Sequence, residues 1–327
     1  MSGPVLVVVE HDRGAFAGTT RDAVAAGRLL AGDRDVVALT IGAKADGLAE
    51  DVRDLGADVV QQAHHDLLAD YGPEAWGAVV VQAAALLQPA VVIGPGTDRG
   101  NEVLAQAAAR LDAPMVANCT VVGSGDGGYA VTRQRWGGSL LEEARAAGDI
   151  VLMTIAPHVF DAVATAPGRG EIRVFEPVLD AVLVRSVVRD RVERAAGLTL
   201  STAPVVVGGG RGVGSADAFG PLEDLAALLG GVVGCSRVVT NNGWRSHTDQ
   251  VGQTGTRIAP TVYLACGISG AIQHWVGAMS AKHIIAINTD PDANMVTKAD
   301  YAVIGDLHEI VPAISAEVRR RRDSDAR

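Results

Sequence analysis

Residues 262–288, VYLACGISGAIQHWVGAMSAKHIIAIN, constrain the fold more than any other part of the chain. An apolar strand, Val262–Cys266, runs into Gly267, Ser269 and Gly270. A helix then opens with Gln273 and His274 in its first turns, and a second buried strand, Ile284–Ile287, ends at Asn288. Backbone N–H groups at such a helix start attract anions, and glycine lets a phosphate come close. A histidine one turn in suits an anionic cofactor that also carries a polar ring. A dinucleotide whose head group is read by side chains fits that description.

The same alternation runs through the whole chain. Strands are predicted at Val5–Val9, Val36–Ile41, Ala57–Val60, Ala90–Ile93, Val116–Val122, Tyr129–Gln134, Ile150–Ile155 and Glu171–Phe175. Helices are predicted at Arg21–Leu30, Trp76–Leu87 and Val103–Leu111, the last preceded by a loop, Gly94–Glu102. Apolar residues make up 48% of the chain and aromatics only 4%, so the core is Val, Ala, Leu and Ile, as parallel sheets flanked by helices require. Charges then alternate over residues 184–203 and small polar residues lead to Pro204, which marks a boundary. Beyond it the pattern restarts with strand Val205–Val207, helix Asp217–Leu229, strand Val232–Gly234, and later Tyr301–Ile304 and a helix from Leu307. The expected fold is α/β with two doubly wound domains. The N-terminal domain is nucleotide-binding-like and spans 1–188, 189–203 is a linker, a Rossmann-like domain with a parallel sheet spans 204–318, and 319–327 is a flexible basic tail.

Composition excludes several classes. A net charge of −10 is the wrong sign for a nucleic-acid footprint. No apolar run approaches the ~18 residues needed to span a bilayer. Cys119, Cys235 and Cys266 are far apart and show no metal-ligand spacing, so no metal site is expected and buried, reduced thiols are. Strand Val5–Val9 follows the start at once without a basic leader, which points to the cytoplasm. There is no GxSxG elbow, no GxxxxGK[ST] loop and no HExxH. Near the second-domain loops the carboxylates are Asp249 and Asp306. Neutral donors and Arg with few general bases suit holding an electron carrier better than hydrolysis or proton abstraction.

Several candidate residues carry two readings. GGGRGVGS, Gly208–Ser215, sits where a phosphate turn belongs, yet Ser215 replaces the last glycine of GxGxxG, and the next strand ends in Ser236-Arg237 rather than an acid. The plain alternative is a tight turn. DQVGQTGT, Asp249–Thr256, either wraps a ligand with Gln250, Gln253 and Thr254 or is a surface turn, the simpler reading. His274 alone would be an ordinary helix histidine, and its place beside Gln273 after a phosphate-type helix start shifts that balance. Asn288 and Asp306 end strands at the carboxyl edge, where ligands bind but where caps also occur.

VYLACGISGAIQH, then Gly277 and IIAIN, resembles the signature of the electron-transfer flavoprotein alpha (large) subunit family. GGGRGVGS, the Ser236-Arg237 pair, DQVGQTG and ADYAVIGD (Ala299–Asp306) are similar to that family in the same order and spacing, and GPGTDRGNEVLAQAAARLDAP resembles its central glycine loop and helix. The resemblance implies FAD in the C-terminal domain, with Ser269, Gly270, Ala271 and Ile272 cradling the pyrophosphate. It implies redox tuning by three residues: His274 at the pyrimidine edge of the ring, Thr254 at the central ring nitrogen, and Arg237 against the ring, favouring an anionic, singly reduced form. It places Arg211, Ser236, Asn288 and Asp306 at the ADP half, and Gln250, Val251, Gly252, Gln253, Gln273 and Leu307 among the further contacts. It implies a smaller beta subunit as partner in a heterodimer, carrying AMP or a second FAD and packing on the first domain. It further implies an acyl-CoA dehydrogenase as donor in fatty acid beta-oxidation and a membrane quinone oxidoreductase as acceptor. The resemblance thus implies an electron carrier rather than a catalyst acting alone on a small molecule. A bifurcating relative oxidising NADH through a second FAD in the partner is one alternative; an NAD-dependent enzyme of the deoxyhypusine-synthase type is another. Asn294-Met295-Val296 departs from the family, which usually has a proline and an aromatic there.

Overall fold

A computed structural model describes residues 3–125, 127–138, 140–160, 166–188 and 198–325. The chain divides into two units, Met1–Val192 and Glu193–Arg327.

The first unit runs β1 (Val5–Val8), β2 (His11–Asp12), β3 (Ala15–Phe16), α1 (Thr20–Ala31), β4 (Val36–Ile41), α2 (Ala49–Asp54), β5 (Val59–Ala63), α3 (Pro73–Leu87), β6 (Val91–Pro95) and α4 (Asp98–Leu111). It continues through β7 (Met115–Gly125), β8 (Gly128–Arg135), β9 (Leu140–Ala146), β10 (Val151–Ile155) and β11 (Glu171–Phe175). Apart from the small β2–β3 hairpin these strands form a nine-stranded sheet ordered β11-β5-β4-β1-β6-β10-β7-β8-β9. Side-chain alternation explains why β1 reads as an unbroken apolar run. Val5 and Val7 pack with Ala23, Val24 and Leu30 of α1, whereas Leu6 and Val8 pack with Trp76 and Val79 of α3 and Leu104 of α4.

Three local features differ from the sequence reading. The helix expected from Val103 begins at Asp98, because the Thr97 hydroxyl accepts from the Gly100 N–H at 2.9 Å and caps it, so half of the supposed loop is helical. The strand expected at Ala57–Val60 lies at Val59–Ala63, since Gln61 and Gln62 belong to it. Gln61 is buried but satisfied, its Nε2 donating to the Arg173 carbonyl at 3.0 Å. Strand β9 (LLEEARA) carries no strand-like composition; pairing makes it one. It runs antiparallel to β8, with Glu142 opposite Arg133 and an ion pair of 3.1 Å between them. The sheet is therefore parallel from β11 to β7 and antiparallel across β7-β8-β9.

The second unit runs β12 (Val205–Gly209), α5 (Gly220–Leu228), β13 (Val232–Cys235), α6 (Arg237–Asn241), β14 (Val262–Cys266), α7 (Ile272–Ala278), β15 (His283–Asn288), α8 (Asn294–Lys298), β16 (Tyr301–Ile304) and α9 (Leu307–Asp325). Its five strands are ordered β13-β12-β14-β15-β16, and every pairing is parallel. One face buries Val207, Leu264 and Cys266 with Phe219, Leu222 and Val311; the other buries Val206, Tyr263 and Ala265 with Ala278 and Met295. Of the expected linker, residues 189–197 lie outside the described residues, while Leu200 and Ala203 are buried in this second core. Across the segment read as a basic tail, α9 continues to Asp325, and Glu317 accepts from Arg320 and Arg321 at 2.6 and 2.8 Å. Residues 326–327 lie outside the described residues.

The loop after α6 is held against α7 by glycine. A Cβ on Gly277 would sit 2.3 Å from the Gly252 Cα, so the helix and the loop touch backbone to backbone. The Gly277 carbonyl also accepts from the Ile258 N–H at 2.8 Å. Gly277→Ala is expected to destabilise the second unit by about 1–3 kcal/mol, the usual cost of overpacking, read as a lower urea midpoint. An unchanged midpoint would show that the loop is not held there.

Candidate cofactor-binding site

The strand order of the second unit places its topological switch between β12 and β14. Open parallel sheets bind ligands in the crevice at the carboxyl ends of the strands flanking that point. Two glycine turns meet there. The turn after β12 donates from Gly210 N to Cys266 O at 2.9 Å and from Gly212 N to Gly267 O at 3.1 Å. A Cβ on Gly210 would lie 2.2 Å from the Gly267 carbonyl oxygen, and one on Gly212 would lie 2.8 Å from the Gly267 Cα. Within GGGRGVGS, Gly210 and Gly212 serve the close approach of two turns, and their N–H groups are spent on it.

The free donors lie on the second turn. The N–H groups of Ser269, Gly270, Ala271 and Ile272, leading into α7, have no acceptor among the described residues. Gly270 has φ +77° and a Cβ there would strike the Met295 N at 2.4 Å, so this turn needs glycine on both counts. Met295, in the segment that departs from the family, is fully buried and donates from N to Ser269 O at 3.2 Å, backing the turn from behind.

A cleft of about 500 Å³ opens over these turns. Nine of the expected residues line it: Arg211, Ser236, Arg237, Ser269, Gly270, Ala271, Gln273, His274 and Asn288. Asn288 bridges the floor, its Nδ2 donating to Ile268 O at 3.1 Å and its Oδ1 accepting from Asp290 N at 3.1 Å. Arg211 and Arg237 form no ion pair with a described residue. Asn241, Asp290 and Ala293 also line the cleft and were not expected. Asn241 stands one turn of helix after Arg237, so helical periodicity from Ser236 was the signal that could have found it.

Other expected residues stand off the wall. Leu307 is buried beneath Gly267, 2.7 Å from where a Cβ would lie, and Ile272 is exposed. Asp306 caps α9, its Oδ1 accepting from His308 N at 2.9 Å. Gln250, Val251, Gly252, Gln253 and Thr254 form the adjoining loop, pinned to the cleft by Gln253 N donating to Gln273 O at 2.7 Å.

His274 lies in the wall with its ring turned into the core. Its Nε2 is 2.7 Å from the Tyr263 hydroxyl, and both side chains are buried. Nδ1 is buried without a hydrogen bond of good geometry, the Val251 carbonyl only weakly favouring its proton. Burial dominates and pulls the ring down to about 4, so the imidazole is neutral. The positive charge of the cleft is therefore the arginines' alone. The thiols of Cys235 and Cys266, at the ends of β13 and β14, are each pushed up to about 12 by burial and stay protonated.

Unpaired guanidinium groups and free N–H donors at the glycine turn are a donor set suited to a diphosphate. Comparison with known proteins agrees. Residues 199–279 match the model described as electron transfer flavoprotein FAD-binding domain, and residues 5–179 the electron transfer flavoprotein domain. The chain belongs to the electron transfer flavoprotein alpha-subunit family. The electron transfer flavoprotein subunit alpha of Bacillus subtilis (strain 168) is 34% identical over 322 residues, covering 98% of each chain. That of Mycobacterium tuberculosis (strain CDC 1551 / Oshkosh) is 34% identical over 318 residues, covering 97% of this chain and 99% of its own. Protein FixB of Clostridium saccharobutylicum is 33% identical over 321 residues, covering 96% of both.

In this alpha subunit the His274 ring is neutral when folded, whereas the unfolded chain takes up a proton below its ordinary value of 6.5. Its contribution to stability is complete above pH 6.5 and lost as pH falls towards 4. Between those values the wild type should lose more stability than His274→Gln, measured as the difference between their urea midpoints. Parallel profiles would show the ring to be solvated.

Proposed function

We propose that this chain is the FAD-holding subunit of a heterodimeric electron carrier, with the flavin in the cleft over Gly212 and Gly267. The observation that carries the reading is the charge balance of that cleft. Arg211 and Arg237 stand in it without acidic partners among the described residues, beside free backbone donors and a neutral histidine. When bound, the isoalloxazine supplies one- and two-electron redox chemistry. The chain's residues do the rest. The N–H groups of Ser269 to Ile272 hold the pyrophosphate together with the Arg211 guanidinium. Ser236 and Asn288 orient the ADP half, and Arg237 offsets negative charge gained by the ring. Thr254 offers its hydroxyl to the central ring nitrogen, and His274 bounds the pyrimidine edge.

Electrons come from an acyl-CoA dehydrogenase-type flavoenzyme and leave to a quinone oxidoreductase. The beta subunit, with AMP or a second FAD of its own, packs on the first unit. Trp136, Leu140 and Leu141 of that unit are 79%, 56% and 69% exposed, an apolar surface that suits such a partner. No helix among the described residues is long and apolar enough to cross a membrane, and no metal-holding cluster occurs among them. The deoxyhypusine-synthase alternative has no support, because it needs a lysine at the cofactor. Lys298 instead lies over the Trp275 ring at 5.1 Å, and neither it nor Lys282 lines the cleft.

Co-expressed with its beta subunit, the chain should purify yellow, with flavin absorption bands. A colourless heterodimer would refute the reading. Arg237→Ala should lower the first one-electron potential by about 60 mV, a tenfold change in that equilibrium. No change would place Arg237 away from the ring.

A further inference from the structure

Behind the exposed Thr254 lies a short chain of polar side chains with one proton too few for its contacts. Thr240, on α6, has its Oγ1 2.9 Å from the Arg237 carbonyl oxygen and 2.9 Å from Gln250 Oε1. Gln250 Nε2 is 2.9 Å from Thr254 Oγ1. Gln250 is 1% exposed, so water does not compete for its amide. Its backbone is fixed on both sides: Gln250 N donates to His247 O, Val251 N to Cys235 O and Thr256 N to Gln250 O, at 3.2, 2.9 and 2.7 Å. What is left free is the polarity of the side chains.

A threonine hydroxyl has one proton, so Thr240 cannot donate to both acceptors at once. Two arrangements satisfy the same heavy-atom positions. In the first, Thr240 donates to the Gln250 amide oxygen, the amide nitrogen donates to Thr254, and the Thr254 proton is free to point outward. In the second, Thr240 donates to the Arg237 carbonyl and the amide is turned over. Its nitrogen now donates to Thr240, its oxygen accepts from Thr254, and the Thr254 lone pairs point outward. Oxygen and nitrogen of a side-chain amide have the same shape, and the terminal torsion of Gln is broad and two-fold, so little else moves. No proton passes between groups. Two hydroxyls rotate and one amide flips.

We propose that Thr240 and Gln250 form a reversible hydrogen-bond relay that decides whether Thr254 presents a proton or a lone pair to the central nitrogen of the flavin ring. The inference rests on the flavin reading above and adds positioning residues to it. An unprotonated ring nitrogen accepts from Thr254 in the first arrangement, which brings that arrangement level with the second. Full reduction by dithionite, which supplies two electrons, with one proton from water forming the N–H bond, makes that nitrogen a donor and selects the second. An anionic ring reduced by one electron gains no proton there, and its charge strengthens the hydrogen bond from Thr254, which favours the first arrangement. The relay thus adds one hydrogen bond more to the fully reduced ring than to the oxidised or one-electron ring, and favours disproportionation of the one-electron state. Taken alone, the second arrangement has three internal hydrogen bonds to two, and a ring acceptor at Thr254 makes up the difference. The two are close enough in energy for the ring to choose.

The test is infrared difference spectroscopy of the co-expressed heterodimer, dithionite-reduced minus oxidised, with and without 15N-labelled glutamine side chains. The wild type should show a label-sensitive side-chain amide band that shifts on full reduction. Thr240→Val should abolish the shift and lower the disproportionation constant roughly fivefold, the worth of one net hydrogen bond. Thr240→Ser should restore both. A wild-type difference spectrum without any label-sensitive amide band overturns the relay, whatever the variants do. So does a Thr240→Val protein with an unaltered band and disproportionation constant. A heterodimer that holds no flavin would defeat the underlying reading instead, and is told apart at once by its visible spectrum.

Discussion

The second unit depends on the contact between two glycine turns at the carboxyl ends of β12 and β14. Gly210 and Gly212 reach across to the carbonyls of Cys266 and Gly267, and their missing Cβ atoms allow it. This contact closes the floor of the cleft and leaves the next four N–H groups, Ser269 to Ile272, unpaired and facing the switch point. Everything else in the site is arranged around that floor. Asn288 ties the end of β15 to it, Met295 backs it, and Gly252 against Gly277 sets the polar loop beside it.

The electrostatics follow from which groups are buried. His274 and both neighbouring thiols lie deep enough to stay uncharged, so the positive charge of the cleft comes from Arg211 and Arg237, with the Asp290 carboxyl group in the same lining. Backbone donors and two guanidinium groups oppose negative charge on a ligand. Arg245, by contrast, is consumed by structure, paired with Asp249 at 3.0 Å and with Glu223.

Much of this was legible in the sequence because parallel strands buried on both faces are uniformly apolar. Val36–Ile41 and Val262–Cys266 were placed to the residue on that basis, and Tyr301–Ile304, an exposed edge strand, by its apolar composition alone. Elements set by tertiary pairing were not. Leu140–Ala146 is a strand through β8 and not through its own composition, and α4 begins five residues early through a cap whose partner is a backbone N–H. In the site, glycine spacing and Ser236-Arg237 led to the cleft wall. What could not be read was which N–H groups the turns consume, or that Tyr263 holds the His274 ring, since both depend on contacts between segments far apart in the chain.

A structure of the co-expressed heterodimer with its flavin tests the central claim most directly. Pyrophosphate oxygens should lie within hydrogen-bond distance of the Ser269–Ile272 N–H groups, with the Arg237 guanidinium against the isoalloxazine. A flavin lodged elsewhere, with that glycine floor bare, would contradict it.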